Sequence, residues 1–184
     1  MRTRAIIVGT DGTDTSRAAV DWAAREAQRR HLPLRIMHTY EWESGEAYYG
    51  IGNEYLEVNR SHAEAVTAAA ADQARTLAPE IEIDRDTVIG YPSTQLLDAS
   101  QDAELIVLGS RGRGGFAGLR LGSVSQRVAT HATCPVVVVP GSNHVSDGHG
   151  LLAGAFLGSA GLQLLHHANC PVYIARHRPA AGAQ

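Results

Sequence analysis

The sequence predicts a parallel α/β sheet with helices on both faces, and three observations carry that expectation. Strand-like and helix-like segments alternate over the first 140 residues or so. Two of the strand candidates contain unbroken apolar runs, "LIVL" and "VVVV", as strands buried on both sides require. Turn and cap residues stand where strands should pass into helices.

Residues 4–10, "RAIIVGT", are a short β-rich run that breaks into the turn "TDGTDTS". Thr13 or Asp14 can cap the helix that follows, whose apolar face is marked by Ala19, Trp22, Ala23 and Ala27. "LPLRIMHTY" (32–40) is a second strand, followed by the loop "EWESGEAYYGIGN", whose aromatics would suit a lid or a partner surface. A long helix comes next, with Leu56, Ala63, Val66, Ala70, Ala74 and Leu77 at helical spacing. "IEIDRDTVIG" is a third strand, and "YPSTQLLDASQ" a short helix with Pro92 in its first turn. "AELIVLG" is a fourth strand, leading into a glycine-rich stretch, a helix over 123–133 and a fifth strand, "CPVVVVP". Crossovers between parallel strands should be right-handed, and ligands should sit beyond the carboxyl ends of the strands.

Composition narrows the function. The chain has 184 residues, 44% hydrophobic and 19% charged, with a formal charge of -3. That balance fits a globular domain and argues against general nucleic-acid or membrane-surface binding. No segment approaches the ~18 apolar residues of a membrane span, and the N-terminal apolar run is too short for a signal peptide. The two cysteines, Cys134 and Cys170, make no disulfide scaffold, so a cytoplasmic location is expected. All 16 basic residues are arginine. The absence of lysine excludes a P-loop lysine, a Schiff-base lysine and a kinase-type phosphate lysine.

Residues 109–123, "GSRGRGGFAGLRLGS", hold six glycines and three arginines. Glycines let backbone N–H groups approach an anion closely, and the helix beginning near Gly122 and Ser123 offers free amides and a favourable dipole. Ser123 could cap that helix and also donate its hydroxyl to a phosphate, with Ser125 one step inside; Arg111, Arg113 and Arg120 could supply charge. The alternative is a glycine loop carrying solvated arginines. Asp11, at the end of the first strand, suits a turn or cap; at that position it also suits a ribose or, through water, Mg2+. Both segments can converge on one cleft. His131 and Cys134, repeated at His167 and Cys170, suit packing. A metal site from His144, His149, His166 and His167 has no defensible ligand spacing.

Residues 146–175 repeat residues 110–139 at a constant offset of 36, with Leu-Gly-Ser and Cys-Pro-Val in register. The second copy has the loop, helix and strand but not the strands that should precede them. Such a unit cannot bury its own apolar face. It should dock beside 135–139 or on another chain. The expected division is a nucleotide-binding domain over 1–140, a linker over 141–150, a partial repeat over 151–176 and a tail over 177–184.

Three motifs, in order, resemble the universal stress protein family. Gly109, Gly112, Gly122 and Ser123 match the Gly-x2-Gly-x9-Gly-Ser/Thr pattern of its ATP-binding members; "IIVGTDGTDTS" is similar to the family's opening strand with its aspartate, and "HATCPVVVVP" to its closing strand. The resemblance covers 4–140. It implies a Rossmann-like sheet of order 3-2-1-4-5 that binds ATP, with Mg2+. It places Gly9 (by its backbone alone), Thr10 and Asp11 at the ribose and phosphate side, and Thr39 and Leu108 near the adenine. Gly109, Arg111, Gly112, Gly122, Ser123, Val124 and Ser125 would stand at the ribose and phosphates. It also implies a homodimer, or a pseudo-dimer built with the second copy, through the last strand. The function expected is regulatory, in a stress response and through an unknown protein partner, without enzymatic turnover beyond weak ATP hydrolysis or self-phosphorylation at Ser123 or Ser125. The alternatives are an interaction module that binds no nucleotide and a nucleotide-transferring α/β enzyme. The latter is disfavoured because neither a Ser-Gly-Gly-x-Asp-Ser loop nor a His-x-Gly-His motif is present.

Overall fold

The structure, a computed structural model, describes residues 4–40, 52–113, 121–141 and 150–153, with 165, 168 and 170–175. In chain order the elements are β1 (Ile6–Gly9), α1 (Asp14–Arg30), β2 (Leu34–Tyr40), α2 (Gly52–Leu77), β3 (Ile83–Ile89), α3 (Pro92–Ala99), β4 (Leu105–Gly109), α4 (Ser123–His131), β5 (Val136–Val139), β6 (Gly150–Ala153) and β7 (Val172–Ala175). The strands form one sheet of order β3-β2-β1-β4-β5-β7-β6. The first five are parallel, in the order 3-2-1-4-5 that the family resemblance implies.

Burial follows position in the sheet. Every residue of β4 and β5 is buried, whereas β3, at the edge, carries exposed Asp84 and Arg85. One face of the sheet packs under α1 and α2, where Ala23, Ala27, Ala70 and Ala74 meet Ile6, Val8, Ile36 and Val107. The small alanines let two helices lie close over the strands. The other face packs under α3 and α4, where Leu96, Val128 and Ala129 meet Ile7, Ile106, Val136 and Val138.

Helix ends set the geometry above the strands. Thr13, in extended conformation, caps α1 by accepting from the Ser16 amide. Pro92 opens α3, as its fixed φ allows. The cap of α4 is Gly122 and not Ser123, which is the first helical residue; no side chain caps this helix. Helix α4 ends at His131, two residues before the expected 133. Ala132 turns extended (ψ 146°), and the Thr133 amide donates instead to Ser100 Oγ at 3.1 Å.

Beyond β5 the sheet continues. β7 pairs antiparallel with β5, and β6 pairs parallel with β7. The strand β6 was not expected: it occupies residues read from sequence as the end of a linker and the start of a loop. The aromatic segment 41–51, Arg120, the glycines 148 and 158 with Ser159, the four histidines 144, 149, 166 and 167, and the tail 177–184 lie outside the described residues.

Ser100 ties the two helices of one face together. It is fully buried, its hydroxyl donates to the Leu97 carbonyl at 2.6 Å, and it meets Thr133 Oγ1 at 3.0 Å. Ser100→Ala should therefore lower stability by about 1–3 kcal/mol, read as a lower urea midpoint with unchanged slope.

Candidate functional site

A cavity of about 830 Å3 opens beyond the carboxyl ends of β1, β2 and β4, within the ~300–1,000 Å3 range of small-molecule sites. Its described lining includes all twelve residues singled out from the sequence: Gly9, Thr10, Asp11, Thr39, Leu108, Gly109, Arg111, Gly112, Gly122, Ser123, Val124 and Ser125. Ten further residues complete it, among them Met37, His38, Asn59, His62, Leu96 and Leu121. Of these ten, sequence reasoning offers only Arg113 for the site, as a source of charge. Asn59 and His62 stand three apart on α2 and so share one face, but nothing in their spacing says which face looks into a cleft.

The floor of the cavity is built by close backbone approach. A Cβ on Gly109 would lie 2.8 Å from the carbonyl carbon and oxygen of Thr15, so only glycine lets β4 end against the first turn of α1. A Cβ on Gly112 would lie 2.6 Å from Asp11 Oδ2. Gly12 adopts a φ of 81°, which brings the chain round from Asp11 to the cap of α1.

Asp11 joins the two segments. Its Oδ1 accepts from the Thr13 hydroxyl at 2.6 Å and the Thr13 amide at 3.1 Å, and its Oδ2 accepts from the Arg113 amide at 2.9 Å. Burial pushes the carboxyl up, but the hydrogen bonds from Thr13, Arg113 and Ser16 outweigh it and hold it below the usual carboxylate range. The loop is pinned again where the Thr15 hydroxyl donates to the Arg111 carbonyl at 2.5 Å. It is pinned a third time where the Gly122 amide donates to the Ser110 carbonyl at 2.7 Å. The Ser125 hydroxyl is committed to the Gly109 carbonyl at 2.6 Å, so this side chain braces the loop and only its backbone amide is left to offer a ligand.

One wall therefore presents donors. With no capping side chain on α4, the N–H groups of Ser123, Val124 and Ser125 have no partner within the helix. A Cβ on Gly122 would meet nothing nearer than 3.5 Å. Unlike Gly109 and Gly112, this glycine has no atom of the described residues close enough to exclude a Cβ. The lining also includes the apolar side chains of Met37, Leu96, Leu108 and Leu121.

His38 and His62 occupy the side nearest α2. His38 is buried, and its Nδ1 lies 2.7 Å from the Thr10 carbonyl, which fixes the proton on that nitrogen because a carbonyl only accepts. Burial pushes its imidazole below the ordinary 6.5; the Thr10 bond opposes this, and the charges of Arg113 and His62 add to it. The His62 ring stands edge-on to it at 6.4 Å between centroids, and His62 Nε2 accepts from the Arg113 guanidinium at 2.9 Å. Among the described residues no group of three or more His, Cys, Asp or Glu side chains could hold a metal ion.

Comparison with known proteins gives one answer. The sequence model of the universal stress protein family matches residues 2–140. The chain is 37% identical over 133 residues to the universal stress protein Rv2623 of Mycobacterium tuberculosis, covering 72% of this chain and 44% of that one. A universal stress protein of Mycolicibacterium smegmatis is 35% identical over 150 residues, covering 77% and 49%. The chain thus spans about half the length of the curated relatives it matches. Among solved structures, a universal stress protein in complex with cAMP is 28% identical with a TM-score of 0.59, covering 76% of this chain and 98% of that one.

Two outcomes test the geometry. Gly109→Ala should cost about 1–3 kcal/mol of stability in urea unfolding, whereas Gly122→Ala should unfold within ~0.5 kcal/mol of the wild type. For His38, the unfolded imidazole takes a proton near the ordinary 6.5 and the folded one resists it. Its contribution is full above that pH and is lost as pH falls through the lower folded value. His38→Gln should flatten the loss of stability between about pH 7.5 and pH 5, and equal slopes for the two proteins would contradict it.

Proposed function

We propose that this chain, which belongs to the universal stress protein family, binds an adenine nucleotide in the cavity above β1 and β4, and that the nucleotide is ATP with Mg2+. The observation that carries the reading is the donor wall. Three backbone N–H groups at the start of α4 lack a partner within the helix, and they stand beside a glycine, Gly122, where a Cβ would touch backbone atoms of Arg111, Ser110 and Gly112 only at ordinary contact distance. That arrangement suits an anion held by amides and a helix dipole, without lysine. The apolar side chains that also line the cavity suit a flat heterocycle. The related structure bound to cAMP supports an adenine nucleotide as the class of ligand.

In this reading Thr39 and Leu108 flank the adenine, while Asp11 and Gly9 to Thr10 border the ribose. The amides of Gly109, Gly112, Gly122, Ser123 and Val124, with the Ser123 hydroxyl, take the phosphates, and Arg111 supplies charge at the exposed rim. Asp11 is the one acidic residue among the described lining residues, so Mg2+ would be held chiefly by the phosphates. The function is regulatory binding in a stress response rather than steady turnover, because phosphoryl transfer also needs a positioned base or nucleophile. A reducing, cytoplasmic setting accords with a chain of only two cysteines. No helix among the described residues is long and apolar enough to cross a membrane.

Calorimetric titration of the full chain with ATP and Mg2+ tests this. The wild type should bind with a single site, and Gly122→Val should weaken binding at least tenfold, about 1.4 kcal/mol, while melting normally. No heat from the wild type, or equal affinity in the variant, overturns the reading. Steady release of phosphate with a co-substrate would replace it with an enzymatic one.

A further inference from the structure

Arg113 is anchored at both its backbone and its side chain. Its N–H is held by Asp11 Oδ2 at 2.9 Å, while its side chain runs to α2, where the guanidinium donates to His62 Nε2 at 2.9 Å. The same guanidinium nitrogen lies 3.7 Å from where a Cβ on Gly12 would stand, so it covers the turn after β1. Arg113 and His62 both line the cavity, and both are exposed. None of the ion pairs among the described residues includes Arg113. The Asp11 carboxylate is committed to amide and hydroxyl donors, and the guanidinium meets a neutral imidazole instead. A cation set against a neutral acceptor keeps its attraction for an anion, and the guanidinium fork has N–H donors beyond the one given to His62.

The pair adjoins the donor wall. Gly112, directly before Arg113, has its backbone nitrogen 3.7 Å from where a Cβ on Gly122 would stand, so one bend of the loop separates Arg113 from the start of α4. His62 brings a proton into the arrangement. Because a guanidinium only donates, the bond requires Nε2 to be unprotonated. Once the guanidinium turns to an anionic oxygen, Nε2 can take a proton from solvent and donate to the same anion. Without the anion that proton would stand as a second positive charge beside Arg113 and be disfavoured. Anion and proton therefore assist one another. The charges of Arg113, Asp11 and His62 all bear on His38, so four groups from the loop, the turn after β1, α2 and β2 form one cluster. His38 holds its proton on Nδ1 against the Thr10 carbonyl, and burial opposes a second. On α2 itself Arg60 is engaged by Glu57 and Glu64.

We propose that Arg113 and His62 form a second anion-holding subsite of the cavity, which takes the outer phosphates of a nucleoside polyphosphate and takes up a proton with them. This subsite presupposes an adenine nucleotide at the α4 amides, as proposed above. The amides hold the phosphate common to all nucleotides, and the Arg113–His62 pair separates a triphosphate from a monophosphate. Arg113 makes the ionic contact. His62 is a positioning residue, which holds the guanidinium over the turn after β1 until an anion replaces it. Preference for the triphosphate then strengthens as the medium turns mildly acidic.

Calorimetric titrations of the full chain with ATP and with AMP, at about pH 7.5 and about pH 6, give the ratio of the two affinities. The wild type should favour ATP at least ~tenfold. Arg113→Gln keeps the backbone bond to Asp11 and should bring the ratio to about one. His62→Gln keeps an acceptor for the guanidinium but takes no proton, so it should still favour ATP. On going to the lower pH the wild-type ratio should rise about threefold more than that of His62→Gln. Titration of the phosphates themselves, near pH ~6, is common to both proteins. A wild-type ratio near one, a wild-type ratio in Arg113→Gln, or equal pH dependence in His62→Gln would each overturn the proposal and leave nucleotide binding standing. If neither nucleotide binds, the nucleotide reading falls and inorganic tripolyphosphate decides the subsite. It should bind the wild type and not Arg113→Gln; binding to both, or to neither, overturns the subsite as well.

Discussion

The site depends on one contact, the approach of the end of β4 to the first turn of α1. Two segments about a hundred residues apart meet there at a distance that excludes any side chain on Gly109. The Asp11 carboxylate then fixes the arrangement by accepting from the Arg113 amide, and the Thr15 hydroxyl adds a second link through the Arg111 carbonyl. The start of α4 hangs from the same scaffold, through the bonds from Gly122 to Ser110 and from Ser125 to Gly109. The donor wall is positioned by these ties together with the packing of Val128 and Ala129 on the sheet.

Electrostatics at the cavity divide by side. Near α4 there are amides without a partner inside the helix, together with the helix dipole. Near α2 there is a buried His38 whose Nδ1–H is held by the Thr10 carbonyl, with His62 holding the Arg113 guanidinium. Arginine is the only strong cation in the sequence, and its planar guanidinium can hold a neutral imidazole acceptor and still face solvent. Without lysine, the cradle must work by backbone direction, which a folded loop fixes more rigidly than a flexible ammonium would.

Most of this organisation was legible in the residues. Apolar runs located the buried strands β4 and β5 because burial on both faces leaves no alternation to confuse them. The glycine spacing and Asp11 located the cavity because both lie at carboxyl ends of strands, where a doubly wound sheet opens. His38 was hidden inside a strand that reads as core, and its partner is a backbone carbonyl, which leaves no trace in sequence. Asn59 and His62 sit on a long helix with polar residues on several faces, so the face towards the cleft could be known only from the packing of α2 on β2 and β3. The cap of α4 was misassigned because serine is the better capping residue by preference, and the extended backbone at Gly122 is a tertiary fact. Strand β6 was missed because it borrows its pairing partner, β7, from residues about twenty positions away.

The glycines of the cradle are not alike in what holds them in place. Gly109 and Gly112 are held by the fold, since protein atoms stand where their side chains would be. Among the described residues no atom stands so close at Gly122, where a Cβ would make only ordinary contact with backbone. Folding therefore constrains position 122 less tightly than 109 or 112, and use of the cavity is the stronger reason to keep it bare. A descendant that had abandoned its ligand would be free to drift there first, and its folding would give no sign of the change.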